Sequence, residues 1–194
     1  MAKIDPLKSS TALVRKVTNN APVSFKPPVV KSKSQGIKAF HSYDWYFNWL
    51  SNHLENVDKI FLTPCAKTKP IYTSPLHRRI YQKYNALYQG EYELLVVSEP
   101  VVLIRYQDLY DLEKEFCYDF PPKLLDETSR GLFIQRLNVL LEGKEIIGCL
   151  PKHHERLINY AIGKGNWENL WRGDVFSMMR REDNRNFKRR MKHG

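Results

Sequence analysis

The sequence predicts an α/β fold, a three-layer domain built on a small, mainly parallel sheet. Short apolar runs at 59–62, 91–98 and 145–150 have the length and near-continuous apolarity of strands covered on both faces. Longer segments with 3.6-residue apolar periodicity alternate with them. The resulting order of strand, helix, strand, helix, strand and helix suits crossover connections between parallel strands. A chain of 194 residues, 42% apolar, is long enough for one domain with a real core. That domain is read as residues 38–179, with a basic flexible arm over 1–37 and a basic tail over 180–194.

Residues 1–37 mix Lys, Ser, Pro and Asn with little periodicity and read as a mobile arm, extended at Pro27-Pro28. Val29-Val30 is a β-branched pair too short to place as a strand. Over 40–57, Phe40, Tyr43, Phe47, Leu50, Leu54 and Val57 share one helical stripe, widened by Trp45, Tyr46 and Trp49. Aromatic side chains on a helix can stack nucleic-acid bases, but this spacing points to a core face. His41 and His53 read as surface or packing residues. After the strand at 59–62, Ser74-Pro75 opens a helix, serine as N-cap and proline in the first turn. Leu76, Ile80, Tyr84, Leu87 and Tyr88 continue it at helical spacing.

Gly90 marks a turn into the second strand, which runs into Glu99-Pro100. Residues 101–109 are apolar and β-prone before turning polar, and Pro121-Pro122 bars a regular helix throughout 110–125. A helix is expected over 126–142, with Leu132, Phe133, Leu137, Leu140 and Leu141 inside and Gly143 as its stop. The third strand ends at Pro151, and a helix follows to about 162 with Leu157, Ile158 and Ala161 facing inward. Residues 167–179 read as a terminal helix or helix pair.

The formal charge of +10 is uneven. Residues 1–38 carry eight Lys/Arg against Asp5, and 180–194 carry seven against Glu182 and Asp183, so the stretch between is close to neutral. Basic ends suit a polyanion, nucleic acid foremost, without separating DNA from RNA; solvated tails are the plainer reading. There is no run of eighteen apolar residues and no apolar leader, so neither a membrane span nor secretion is expected. Cys65, Cys117 and Cys149 are widely spaced and odd in number, which fits a reducing cytoplasm.

Familiar catalytic signatures are absent: there is no P-loop, no Gly-x-Gly-x-x-Gly, no Gly-x-Ser-x-Gly elbow and no zinc-protease His pair. His153-His154 is a doublet on a helix, its rings about 100° apart, so no metal site is expected. What stands out is the loop between the first strand and its helix. In open α/β folds ligands bind at the carboxyl end of a strand beside a helix amino terminus. Cys65 sits there with Lys67 and Lys69, which together with the helix terminus would lower its pKa and make it a nucleophile. Lys69, Ser74 and His77 would supply proton transfer and donors for developing charge. Glu99 would come close if the first two strands are parallel neighbours; a surface glutamate closing its strand is the alternative. Arg105, Tyr118 and Asp119 are candidates to line a pocket. For the loop as a whole the competing reading is a structural strand-to-helix turn.

The pattern Pro-Cys-x-x-x-Lys-Pro-Tyr-x-x-Ser-x-x-His resembles the core motif of archaeosine synthases. Pro64, Cys65, Lys69, Pro70, Ser74 and His77 match it at the same spacing, while Ile71 stands where the family has tyrosine, with Tyr72 one place later. The resemblance covers roughly 58–150 and is similar to the stand-alone core versions of bacteriophage genomes, which work on 7-deazaguanine bases in DNA. Longer archaeal members add a transglycosylase-like domain and an RNA-binding domain, for which 194 residues leave no room.

The resemblance implies a uracil-DNA glycosylase-like core. It implies a reaction that joins an amine to the nitrile of 7-cyano-7-deazaguanine in a polynucleotide and gives an amidine. The amine, lysine or ammonia, is a co-substrate; no cofactor is implied, and a radical enzyme partner would follow where lysine is the donor. Cys65 would attack the nitrile to form a thioimidate, or orient it. Lys69 and His77 would move protons, and Ser74 with the helix terminus would hold the imidate nitrogen. Pro64, Pro70, Tyr72, Glu99 and Arg105 form the expected substrate-binding set. DNA is favoured over transfer RNA, and its 7-position is reachable from the major groove. The alternatives are a transfer-RNA-acting version, a non-catalytic nucleic-acid-binding module, and a base-excising or base-exchanging enzyme, for which no water-activating motif is found.

Overall fold

The computed structural model describes residues 20–171, so the basic tail over 180–194 and the helix expected beyond 171 lie outside the described residues, as do residues 1–19. Five strands, β1 (Lys59–Pro64), β2 (Glu93–Ser98), β3 (Val102–Arg105), β4 (Glu145–Gly148) and β5 (Glu168–Asn169), form one sheet in the order β3-β2-β1-β4-β5. β1 is parallel to β2 and to β4, β5 is parallel to β4, and β3 folds back antiparallel on β2. The helices are α1 (Gly36–His41), α2 (Asp44–Leu54), α3 (Pro75–Leu87), α4 (Asp108–Asp111), α5 (Glu127–Leu141) and α6 (Lys152–Ile162).

From β1 the chain crosses through α3 to β2 on one side, and from β4 it crosses through α6 to β5 on the other. Right-handed crossovers running in opposite directions put α3 and α6 on opposite faces. α5 packs on α6, and α1 and α2 pack on α5. This is the three-layer α/β arrangement. Its topological switch falls between β1 and β4, where ligand crevices open in doubly wound sheets.

The register fixes what meets at that edge. Pro64 is level with Val97, so one step further Cys65 is level with Ser98, and Leu62 is level with Gly148, three residues before Pro151. The β1–β4 approach depends on Gly148. A Cβ there would lie 3.1 Å from Leu62 Cβ, 3.2 Å from the Leu62 carbonyl oxygen and 3.2 Å from the Trp167 ring.

The aromatic stripe is core. Phe40, Tyr43, Tyr46 and Leu50 are wholly buried, which leaves no face of these rings for bases. The single helix expected over 40–57 is instead two. Ser42 Oγ donates to the Ala39 carbonyl at 2.6 Å, and Tyr43 leaves helical geometry at φ −104°, ψ 16°. A serine that bonds back to its own turn competes with the helix ladder. His41 faces Asp44 at 3.1 Å and His53 faces Glu93 at 2.8 Å, surface and packing roles respectively.

Two readings are corrected. The described part of the expected arm, residues 20–37, is docked rather than free. Phe25 packs edge-on against Tyr43 and Trp45, Val30 is buried, and Val29 bridges to Asp119. The helix expected from Trp167 is β5, because the Asn169 side chain pairs with the Leu150 backbone in both directions, at 3.0 and 2.9 Å. Among the described residues no helix is long and apolar enough to cross a membrane.

Candidate active site

Cys65, Glu99 and His154 converge at the carboxyl edge of the sheet. Cys65 follows β1, Glu99 follows β2, and His154 stands in the first turn of α6, after β4 and Pro151. The thiol sulfur, a Glu99 carboxylate oxygen and a His154 ring nitrogen all lie within 4.8 Å of one another. Glu99 and His154 are buried at 3% and 1% exposure, and Cys65 is half-buried. His154 Nε2 is 3.5 Å from Glu99 Oε1, an ion-pair separation, and neither ring nitrogen has a hydrogen-bond partner among the described residues.

Around this cluster, Lys69 holds its Nζ 4.2 Å from the centre of the Tyr118 ring. The Tyr118 hydroxyl is hydrogen-bonded to Ser98 Oγ. The expected Tyr118 is thus placed in the wall of the site. Asp119 is exposed on the same segment.

The electrostatics differ from the sequence reading. Burial pushes the Cys65 thiol up, and the Glu99 charge pushes it further; Lys69 and Ser98 oppose without prevailing. A thiolate stabilised in advance was expected, but Lys67 is exposed to solvent and half of the expected pair is therefore screened. Burial pulls the Lys69 ammonium down, against the charges of Cys65, Cys117, Glu99 and Asp119. For Glu99, burial raises the carboxyl, but its contacts with His154, its own backbone N–H and the His153 charge outweigh that, leaving it below the usual carboxylate range. The arrangement sets a thiol whose proton is held more tightly than usual beside a carboxylate whose ionised form is favoured, with the His154 ring and the Lys69 side chain next to them. In such a set the thiol proton can move to a neighbour at the moment of attack.

His77 and Ser74 shape the loop. The Ser74 hydroxyl accepts from the His77 N–H at 3.1 Å, the N-cap that the Ser-Pro pair predicts. His77 is fully buried and donates from Nε2 to the Pro64 carbonyl at 2.6 Å, with its ring stacked against Tyr106. Burial drives its pKa down to about 4, Lys69 adds to that, and the Pro64 carbonyl opposes it. These contacts pin the start of α3 to the end of β1. The contacts seen for His77 and Ser74, the two residues expected to transfer protons and to hold the imidate nitrogen, are thus with the loop backbone.

Of the expected substrate-binding set, Pro64 supplies that carbonyl, and Pro70 supplies one to Thr73, whose hydroxyl donates at 2.7 Å. Tyr72 stacks on Tyr110 at 4.1 Å and donates to Glu113 at 2.8 Å, which raises its pKa to about 12 with burial contributing next. Arg105 is not a site residue. Because β3 is antiparallel, Arg105 is level with Leu95, away from the edge that Ser98 reaches. It grips Asp108 through Nε at 3.2 Å and through its terminal nitrogen at 2.8 Å, and Tyr46 donates to the same carboxylate at 2.7 Å.

The residue missed by sequence reasoning is His154. Its available signal was that Pro151 opens a helix after a strand, the same strand-to-helix logic that singles out Cys65. A pocket of about 410 Å³ adjoins the cluster, sharing Glu99 and bordered by Lys123, Arg130, His153 and Arg156. Among the described residues Glu99 is its only acid, so the pocket suits an anionic ligand.

No protein-family model matches this chain, and no curated protein matches it. Among solved structures, the chain is similar to the crystal structure of AF0587, a protein of unknown function, with a TM-score of 0.48 and 16% identity. That match covers 72% of this chain and 49% of the other, so the chain spans about half the length of that protein.

Proposed function

We propose that this domain is a transferase that joins an amine to the nitrile of 7-cyano-7-deazaguanine in a polynucleotide, DNA in preference to transfer RNA. One observation carries the reading: the Cys65 thiol, the Glu99 carboxylate and the His154 imidazole meet within 4.8 Å at the carboxyl edge of the sheet. The archaeosine synthase-like motif around Cys65 supplies the substrate class.

A nitrile carbon is a weak electrophile whose nitrogen gathers negative charge when it is attacked. Cys65 Sγ adds to that carbon while its proton passes to the Glu99–His154 pair, and a proton is delivered to the nitrile nitrogen. The product of this step is a thioimidate. Lysine or ammonia then adds to the same carbon, the C–S bond breaks, and the thiolate recovers its proton as the amidine leaves. Lys69, whose pKa burial lowers, would exchange protons with the thiol or the imidate. Lys123, Arg130 and Arg156 border the adjoining pocket and suit the phosphates of a polynucleotide. A free catalytic thiol suits the cytoplasm, and a radical enzyme would complete the base if lysine is the amine.

The test is mass spectrometry of nucleosides from DNA containing 7-cyano-7-deazaguanine, incubated with the full chain and lysine or ammonium. A lysine amidine or archaeosine is the expected product. An unchanged nitrile with both amines, on DNA and on transfer RNA alike, would end the transferase reading and leave a nucleic-acid-binding module.

A further inference from the structure

We propose that Cys65, Glu99 and His154 form a zinc site that shuts off the nucleophile. Three side chains, two from strand ends and one from the first turn of α6, present one sulfur, one oxygen and one nitrogen toward a common point. Tetrahedral zinc bonds of ~2.0–2.3 Å place neighbouring ligand atoms roughly 3.3–3.6 Å apart. The Glu99–His154 separation is 3.5 Å, and no pair exceeds 4.8 Å. His154 supplies a second observation that points to a ligand. It is buried at 1% exposure, aimed into the cluster, and makes no hydrogen bond from either nitrogen among the described residues. A buried polar nitrogen left without a hydrogen bond is destabilising, and a coordinate bond would remove that cost.

The donor set chooses the metal. Thiolate and imidazole select zinc over magnesium and calcium, which take oxygen ligands. One thiolate and one carboxylate balance the charge of a divalent ion, leaving a neutral centre suited to burial. Three protein ligands leave a fourth position free, as in zinc sites that keep an exchangeable ligand.

Binding of the metal does not depend on the function proposed above, but its consequence does. Zinc displaces the thiol proton, draws electron density from the sulfur and engages Glu99 and His154, the groups that would take that proton. Coordination therefore competes with thioimidate formation at Cys65, and zinc acts as a reversible inhibitor.

The test uses the full chain, freed of metal with a chelator and titrated with Co²⁺ as a spectroscopic substitute for Zn²⁺. One equivalent with a cobalt–thiolate charge-transfer band is expected, displaced by Zn²⁺. The band is absent in Cys65→Ser and unchanged in Cys117→Ser, which alters an exposed cysteine elsewhere. His154→Gln and Glu99→Gln, close in shape to the native side chains, should each weaken binding by more than the ~10–100-fold that loss of an outer-shell partner costs. Circular dichroism of each variant checks that it is folded. A folded His154→Gln variant that binds Co²⁺ as tightly as the native chain overturns the site, and so does Co²⁺ binding without the thiolate band. In the nitrile assay Zn²⁺ should abolish conversion and chelator restore it; conversion that needs Zn²⁺ overturns the inhibitory role. Metal binding with no conversion under either condition counts against the transferase and leaves the metal site standing.

Discussion

At Cys65 two sets of neighbours pull the thiol in opposite directions. Burial and the Glu99 carboxylate keep the proton on, while Lys69 and Ser98 favour the thiolate. A thiol that holds its proton is less reactive toward adventitious electrophiles, and it becomes nucleophilic when a base takes that proton. Glu99 and His154 are the groups placed to take it. Replacing either by Gln should lower turnover by about 10²–10⁴, the range for loss of a general acid or base, with little change in nucleic-acid affinity measured by fluorescence anisotropy. His77 gives a different signature. The unfolded chain protonates this histidine below about pH 6.5, the folded protein only below about 4. Its contribution is therefore complete above pH ~6.5 and drains away as the pH falls toward 4, by on the order of 3 kcal/mol in all. Urea unfolding across that window should show the loss in the native protein and a flatter curve in His77→Gln, whose amide can still donate to the Pro64 carbonyl.

At the scale of elements, the site is made by strand ends held in register, so remote changes in the sheet should reach it. Gly148→Ala forces a Cβ against Leu62 between β1 and β4, and should cost about 1–3 kcal/mol as an overpacked contact. Because the same contact sets the spacing between Cys65 and His154, turnover should fall with stability, as chemical denaturation and kinetics on one preparation would show. Arg105→Ala is the contrast. It leaves the buried Asp108 carboxylate without its countercharge, only the Tyr46 hydroxyl still donating to it, so about 3–5 kcal/mol of stability should be lost, while turnover per folded molecule is retained.

Arg105 also shows where sequence reading stops. Its strand was legible from apolar β-prone residues, but the antiparallel return of β3, which carries Arg105 away from the edge, was not. Ser74 and His77 were legible by spacing, and the N-cap was legible in full; the burial that turns His77 into a neutral pin was not. β5 left no periodic signal because two residues and one asparagine side chain make it.

For the whole molecule, the parallel sheet with helices on both faces follows from apolar runs alternating with amphipathic segments, and the crevice follows from the reversal of strand order at β1. Cys65 and Glu99 were legible because each closes an apolar strand beside a proline. His154 was not, because as half of a helical doublet with diverging rings it was read as unable to share a metal with His153, and nothing local joins it to Cys65. The metal-ligand arrangement is invisible to spacing rules for the same reason, since its members come from two strand ends and a separate helix. Charge is divided in the same way, with a near-neutral body and basic ends. Within the described residues, Lys123, Arg130 and Arg156 border the pocket beside Glu99.

The central claim is that Cys65 attacks a nitrile, and intact-protein mass spectrometry tests it most directly. The metal-free chain would be incubated, without any amine, with a short oligonucleotide containing one 7-cyano-7-deazaguanine. The account predicts a mass increase equal to one oligonucleotide, mapped to Cys65 after digestion and released as the amidine when lysine or ammonium is added. A chain that forms the amidine at the native rate with Cys65 changed to alanine, and never carries the adduct, would contradict it.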